Sequence, residues 1–159
     1  MLAGAAQLHA AEVEQNFAGR LLAVHNRERA QHDLPPMRWN PFLAESARQW
    51  AMHLAASGRF EHAPAGLRQA QGENLWAGTK YAYSLEEMVD AWAEEKRYFK
   101  PGLFPHNSIT GRVSDVGHYT QLVWRVTHEV GCATAAGLEE EVLVCRYGQP
   151  GNFIGKEPF

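Results

Sequence analysis

Val130-Gly131-Cys132-Ala133-Thr134-Ala135, then Ala136-Gly137-Leu138-Glu139-Glu140-Glu141, then Val142-Leu143-Val144-Cys145-Arg146-Tyr147 reads as strand, turn, strand. The outer runs are short and mostly apolar, and the centre is polar with a glycine, which is the pattern of a hairpin. Cys132 and Cys145 lie at equal distances from the middle of the turn, so a symmetric hairpin sets them opposite each other. Opposed residues carry Cβ atoms about 4.5–5.5 Å apart, slightly more than a disulfide requires. A bridge and two buried thiols both remain open on this ground. The spacing is not that of a zinc finger.

Upstream of the hairpin the periodicity changes from two to that of helices. Phe17, Leu21 and Val24 predict a first helix from about Asn16 to His32, stopped before Leu34-Pro35-Pro36. Asn40 and Pro41 are the N-cap and first residue of a second, with Leu43, Ala47, Trp50, Ala51 and Leu54 as its apolar face and Gly58 as its stop. Ser84-Leu85-Glu86-Glu87 is a capping box. It opens a third helix with the stripe Leu85, Met88, Val89, Trp92 and Phe99, ending before Pro101-Gly102. Residues 100–117 hold prolines and glycines without period and predict a long surface loop. A short fourth helix is expected over His118–Trp124. Helices around a small antiparallel sheet make an α/β fold, an α-β-α sandwich. The chain of 159 residues fits one domain, read as residues 16–159. Residues 1–15 are alanine-rich and carry no Lys or Arg, and are read as an N-terminal extension or the remnant of a signal peptide.

Four polar residues stand out against this frame. On an α-helix advancing about 100° per residue, Glu95 falls about 60° from Trp92, and its neighbour Glu94 about 160° away. Glu95 therefore leans toward the core, where a carboxylate needs an arginine, a hydrogen bond or a metal. Glu73, in Gln71-Gly72-Glu73-Asn74-Leu75-Trp76, reads either as the start of a strand after a loop or as a solvated loop residue, with Asn74 free to bond backbone. His118 shares a helical face with Leu122, so its ring points inward, toward a site or simply as a cap on the core. His62 lies in a loop before Pro64. Two imidazoles and two carboxylates suit a divalent metal, zinc above all, although no local spacing such as His-Glu-x-x-His ties them together.

The chain resembles the CAP superfamily, which includes cysteine-rich secretory proteins, insect venom allergens and plant pathogenesis-related proteins of the first class. The matching segments are His25-Asn26-x-x-Arg29, Pro36-Met37-Arg38-Trp39, Gly72-Glu73-Asn74-Leu75, Trp92-Ala93-Glu94-Glu95 and Gly117-His118-Tyr119-Thr120-Gln121-Leu122-Val123-Trp124. Gly131-Cys132, Val144-Cys145-Arg146-Tyr147 and Pro150-Gly151-Asn152 follow in family order. The resemblance implies a cleft lined by the tetrad His62, Glu73, Glu95 and His118. His62 and His118 are the metal ligands it implies, and it pairs Cys132 with Cys145. Many relatives carry three disulfides. Only this pair has its counterpart in the present chain, which leaves the 100–117 loop less constrained and a lipid or sterol site less safely inherited.

Composition bounds the function. A formal net charge of −3 argues against a nucleic-acid surface or a polybasic membrane anchor. No apolar run approaches the roughly 20 residues that span a membrane. Three functions compete. The first is a secreted or periplasmic binding protein, monomeric, holding zinc and a small or lipid-like ligand, or an extracellular protein partner. Phe99, Leu103, Phe104 and Ile109 would either touch a lipid or anchor the long loop. The second is a metal-dependent hydrolase with Glu73 or Glu95 as base, although neither Ser108 nor Ser114 sits in a nucleophile elbow. The third is an interaction module in which the tetrad is a buried polar network.

Overall fold

A computed structural model of the protein describes the backbone of residues 2–68 and 70–159 and the side chains of residues 7, 9–68 and 70–159. In chain order the elements are α1 (Leu2–Ala30), β1 (Arg38–Trp39), α2 (Pro41–Ser57), α3 (Ala65–Arg68), β2 (Gly72–Thr79), α4 (Leu85–Ala93), α5 (Gly117–Leu122), β3 (Glu129–Ala136) and β4 (Glu140–Gly148). Two 3₁₀ turns, Glu94–Tyr98 and Val113–Asp115, lie between α4 and α5.

The hairpin is the middle of the sheet, whose order is β1-β3-β4-β2. β2, β3 and β4 pair antiparallel, and two-residue β1 adds a parallel edge against β3. Period two sorts the side chains to two faces. Val130, Cys132, Leu143, Cys145 and Tyr147 pack with α1, α4 and α5. Ala133, Ala135, Val142 and Val144 pack against α2. Cys132 and Cys145 are direct cross-strand partners and are joined as a disulfide, which settles the choice left open by the sequence.

α2 has the ends its sequence announces. The Asn40 side chain accepts from the Phe42 and Leu43 amides, and Gly58 closes the helix at φ 66°. The helix docks so closely that a Cβ on Gly131 would lie 2.2 Å from the Ala44 amide nitrogen. That position in β3 admits only glycine. The capping box of α4 forms in both directions, Ser84 Oγ with the Glu87 amide and Glu87 with the Ser84 amide.

Several boundaries differ from expectation. α1 begins at Leu2 rather than near Asn16 and ends at Ala30. The early segment is rich in alanine and has no proline, and among the described side chains of α1 the first packed on the core is Phe17, which meets Trp39 edge to face. The expected 1–15 extension lies partly outside the described residues. The third helix is α-helical only to Ala93 and then tightens to 3₁₀. The 100–117 loop is tied down by backbone hydrogen bonds. Lys100 bonds Asn107, Ile109 bonds Tyr98, and Phe104 exchanges two backbone bonds with Lys156 and Gly155. Of its apolar residues, Phe99 packs on Tyr119 and Phe159, and Phe104 on Trp124, as anchors, whereas Leu103 and Ile109 face solvent.

Candidate metal centre at the edge of the sheet

β2 is an edge strand, and its consecutive residues point to opposite faces of the sheet. Glu73 turns toward the α2 side and Asn74 toward α5. The four sequence-derived residues form two His–Glu pairs bordering this strand: β2 carries Glu73 of the first, and its Asn74 and Leu75 bond the His118 carbonyl and Trp92 beside the second.

In the first pair, His62 Nδ1 lies 2.6 Å from Glu73 Oε1, which also accepts the Ala63 amide at 3.0 Å. Glu73 Oε2 sits 2.9 Å from Arg146 Nη2, an ion pair in which both side chains are buried. That contact lacks hydrogen-bond alignment. Arg146 is the cross-strand partner of Glu73. Burial holds its guanidinium below its ordinary pKa, with Glu73 pulling upward and Arg68 pushing further down. The imidazole itself is more than half exposed, at 56%.

In the second pair, His118 Nδ1 lies 2.6 Å from Glu95 Oε1. Glu95 Oε2 accepts two backbone amides, His118 at 2.9 Å and Tyr119 at 3.0 Å. These are N–H groups of α5's first turn, which have no partner within the helix. Trp92 organises this half: its Nε1 donates to the Leu75 carbonyl of β2 at 3.0 Å, and its ring stacks on His118 at 6.1 Å. Glu95 shares His118 with Trp92, bonding its Nδ1 while the indole stacks on its ring, which is the face its helical position gave it. The arginine that one reading offered to Glu95 belongs instead to Glu73.

A hydrogen-bonded chain joins the halves to the core. His25 Nδ1 lies 2.8 Å from the Leu21 carbonyl, so it carries the proton and Nε2 accepts from the Tyr147 hydroxyl at 3.0 Å. The Tyr147 oxygen in turn accepts from Asn74 Nδ2, which also donates to the His118 carbonyl. Burial pushes His25 down to about 4 and raises the Tyr147 phenol. Close packing at Gly72 completes the junction, since a Cβ there would come within 2.3 Å of Gln121 Oε1 on α5. The C-terminal stretch braces α5 from outside. Asn152 bonds both Thr120 and the Gly117 carbonyl, and Gln121 Oε1 accepts the Gly151 amide.

The geometry assigns different roles to the two residue types. Each carboxylate is an acceptor, so each Nδ1 carries the proton and each neutral ring presents the Nε2 lone pair. Three of the four carboxylate oxygens accept hydrogen bonds, and the fourth, Glu73 Oε2, is held by its ion pair with Arg146. The glutamates orient the rings, and the imidazoles are the residues suited to hold a metal. A second cluster, His25 with Cys132 and Cys145, places three potential donor atoms within 4.8 Å of one another. Its two sulfurs are bonded to each other, so it offers no thiolate to a metal.

The family model for the cysteine-rich secretory protein family, CAP, matches residues 22–147. The chain belongs to the CAP family. Pathogenesis-related protein 1C of Nicotiana tabacum is 35% identical over 153 residues, covering 95% of this chain and 83% of that protein. Pathogenesis-related protein PR-1 of Medicago truncatula is 30% identical over 148 residues, covering 91% and 80%. Among solved structures, the crystal structure of NaASP2 with Zn²⁺ aligns at a TM-score of 0.75 with 24% identity, over 89% of this chain and 84% of that one. That likeness establishes the α-β-α sandwich. The protein is a CAP domain of the pathogenesis-related and venom allergen type. No helix among the described residues is long and apolar enough to cross a membrane.

Proposed function

We propose that this CAP protein is a secreted binding protein whose cleft holds one divalent metal ion, zinc, on Nε2 of His62 and Nε2 of His118. The observation that carries this is the shared arrangement of the two pairs: each Nδ1 is held by a carboxylate at 2.6 Å. A carboxylate–histidine pair fixes both the tautomer and the ring orientation that a metal needs. Bound zinc would supply a Lewis acid with coordination positions open to a ligand. The protein's part is to hold both rings in place and to keep both carboxylates away from the ion.

Secretion is supported by family membership and by the disulfide, which persists in an oxidising compartment. The domain proper is residues 16–159, since among the described side chains of α1 the first packed on the core is Phe17. A binding role has better support than hydrolysis. Glu73 is tied to His62, Ala63 and buried Arg146, and Glu95 to His118 and Tyr119, which suits the two carboxylates to orienting the rings better than to acting as bases. Ser108 bonds Thr110 and Ser114 bonds Asp115, with no histidine partner for either among the described residues. A lipid-like ligand would have Leu103 and Ile109 to contact, because Phe99 and Phe104 are consumed as anchors.

Calorimetric titration of Zn²⁺ near pH 7 into the protein and into a His62→Ala/His118→Ala variant tests the proposal. The expected result is one equivalent bound by the former and none by the latter. Equal behaviour of the two, bound or unbound, rejects the metal site and leaves the tetrad as a structural network.

A further inference from the structure

A second site lies behind the Glu73–Arg146 pair. A groove of about 550 Å³ runs along the outer face of α2, past Ser46, Trp50 and His53, and is walled on its other side by Leu67 of α3. Arg146 and Gln71 form its floor. Neither His62 nor His118 lines it.

The floor is under-satisfied. The Arg146 side chain is 2% exposed, yet its Nε has no hydrogen-bond partner. Its Nη1 reaches only the neutral Gln71 Oε1, at 3.4 Å. Nε of Arg68, whose charge acts on Arg146, is likewise buried without a partner. Among the described residues, the one carboxylate paired with Arg146 is Glu73, on the side away from Nε. Glu45, which also lines the groove, is engaged by Arg48 at 2.7 Å and by Gln49. Buried donors left unpaired cost free energy, and an anionic acceptor at a guanidinium is worth about twice a neutral one. The position held by Gln71 Oε1 is therefore better filled by an anionic oxygen. The rim is apolar. Trp50 and His53 stack at 4.6 Å, and Leu67 and Phe42 are 62% and 84% exposed.

We infer that this groove binds a small organic anion, with a carboxylate or phosphate head seated at Arg146, where the nearby Arg68 charge adds to the attraction, and an apolar body lying along Leu67 and the Trp50–His53 stack. Gln71 is the gate. Its side chain, held by Ser46 Oγ at 3.0 Å, turns aside as the anionic oxygen takes its place. The site is independent of the metal and works in metal-free protein.

The test is isothermal titration of phenyl phosphate, benzoate, inorganic phosphate and benzyl alcohol in the presence of a chelator. The titrations are run on the wild type and on the Gln71→Glu and Arg68→Gln variants. Gln71→Glu puts a tethered carboxylate where the ligand head belongs. An aromatic anion is expected to bind the wild type with a Kd below about 1 mM and to lose at least about tenfold in Gln71→Glu. Arg68→Gln is expected to lose several-fold. Phenyl phosphate binding above benzoate assigns a phosphate head, and the reverse assigns a carboxylate. Equal binding of benzyl alcohol, or no binding by either aromatic anion, overturns the inference. So does undiminished binding in Gln71→Glu when that variant is folded. The thermal midpoint of each variant reports folding. Zinc titration of the same variants separates this outcome from failure of the metal site.

Discussion

The two His–Glu pairs look alike at the imidazole and differ behind it. Both have Nδ1 at 2.6 Å from a glutamate oxygen. Glu73 is then balanced by a buried guanidinium from the neighbouring strand, and Glu95 by two backbone amides of α5's first turn. The first arrangement is long-range and charged. It depends on the register of β2 with β4 and takes two ions out of water, which is costly unless both are present. The second is short-range and neutral on the donor side, so it forms once α5 has formed. Two like His–Glu pairs thus rest on two devices with different vulnerabilities.

The sharpest way to break this symmetry is Arg146→Met. It leaves the Glu73 carboxylate buried with no counter-charge and is expected to destabilise the protein by about 3–5 kcal/mol, read from chemical denaturation midpoints. No side-chain deletion behind Glu95 should match it.

Next is the pH dependence of stability. His25 is held neutral in the fold at about 4, against 6.5 for the free side chain. Below the free value the unfolded chain takes up a proton that the folded chain refuses. Stability is therefore whole above pH 6.5 and falls as pH drops toward 4. The contribution of this residue is of order 3 kcal/mol. Denaturation across that range, compared with a His25→Gln variant, should show a shallower slope in the variant.

Glu95→Gln comes third. It keeps the shape but weakens three charge-assisted bonds, at an expected cost of about 1–3 kcal/mol. Zinc affinity should fall by about 10–100-fold, as when a ligand's supporting partner is lost. The smallest effect is expected for Tyr147→Phe, which cuts the link between His25 and Asn74 for about 1 kcal/mol and leaves both pairs standing.

The helix caps were legible in the sequence because they depend on neighbours in the chain: Asn40-Pro41 and Ser84–Glu87 form as written. The hairpin was equally legible from the spacing of Cys132 and Cys145. β1 was not, since two residues carry no period. The change from α to 3₁₀ at Glu94 leaves no mark that periodicity can detect. Arg146 escaped notice although a signal existed. It continues the alternation of Val142 and Val144, which places a guanidinium on a buried face and demands a carboxylate nearby. Which carboxylate was hidden, because the register that sets Glu73 opposite Arg146 is a property of the folded sheet. His62 stayed weak for a similar reason: its loop is positioned only by the partner it finds on β2.

The most direct test of the central claim is a long-range ¹H–¹⁵N correlation spectrum of the histidine side chains, recorded without metal and again with one equivalent of Zn²⁺. His62 and His118 are expected as Nδ1-protonated tautomers in the neutral state, with zinc shifting Nε2 of both rings and leaving the Nδ1 protons in place. Nε2-protonated rings, or zinc displacing the Nδ1 protons, would contradict the orienting role of Glu73 and Glu95.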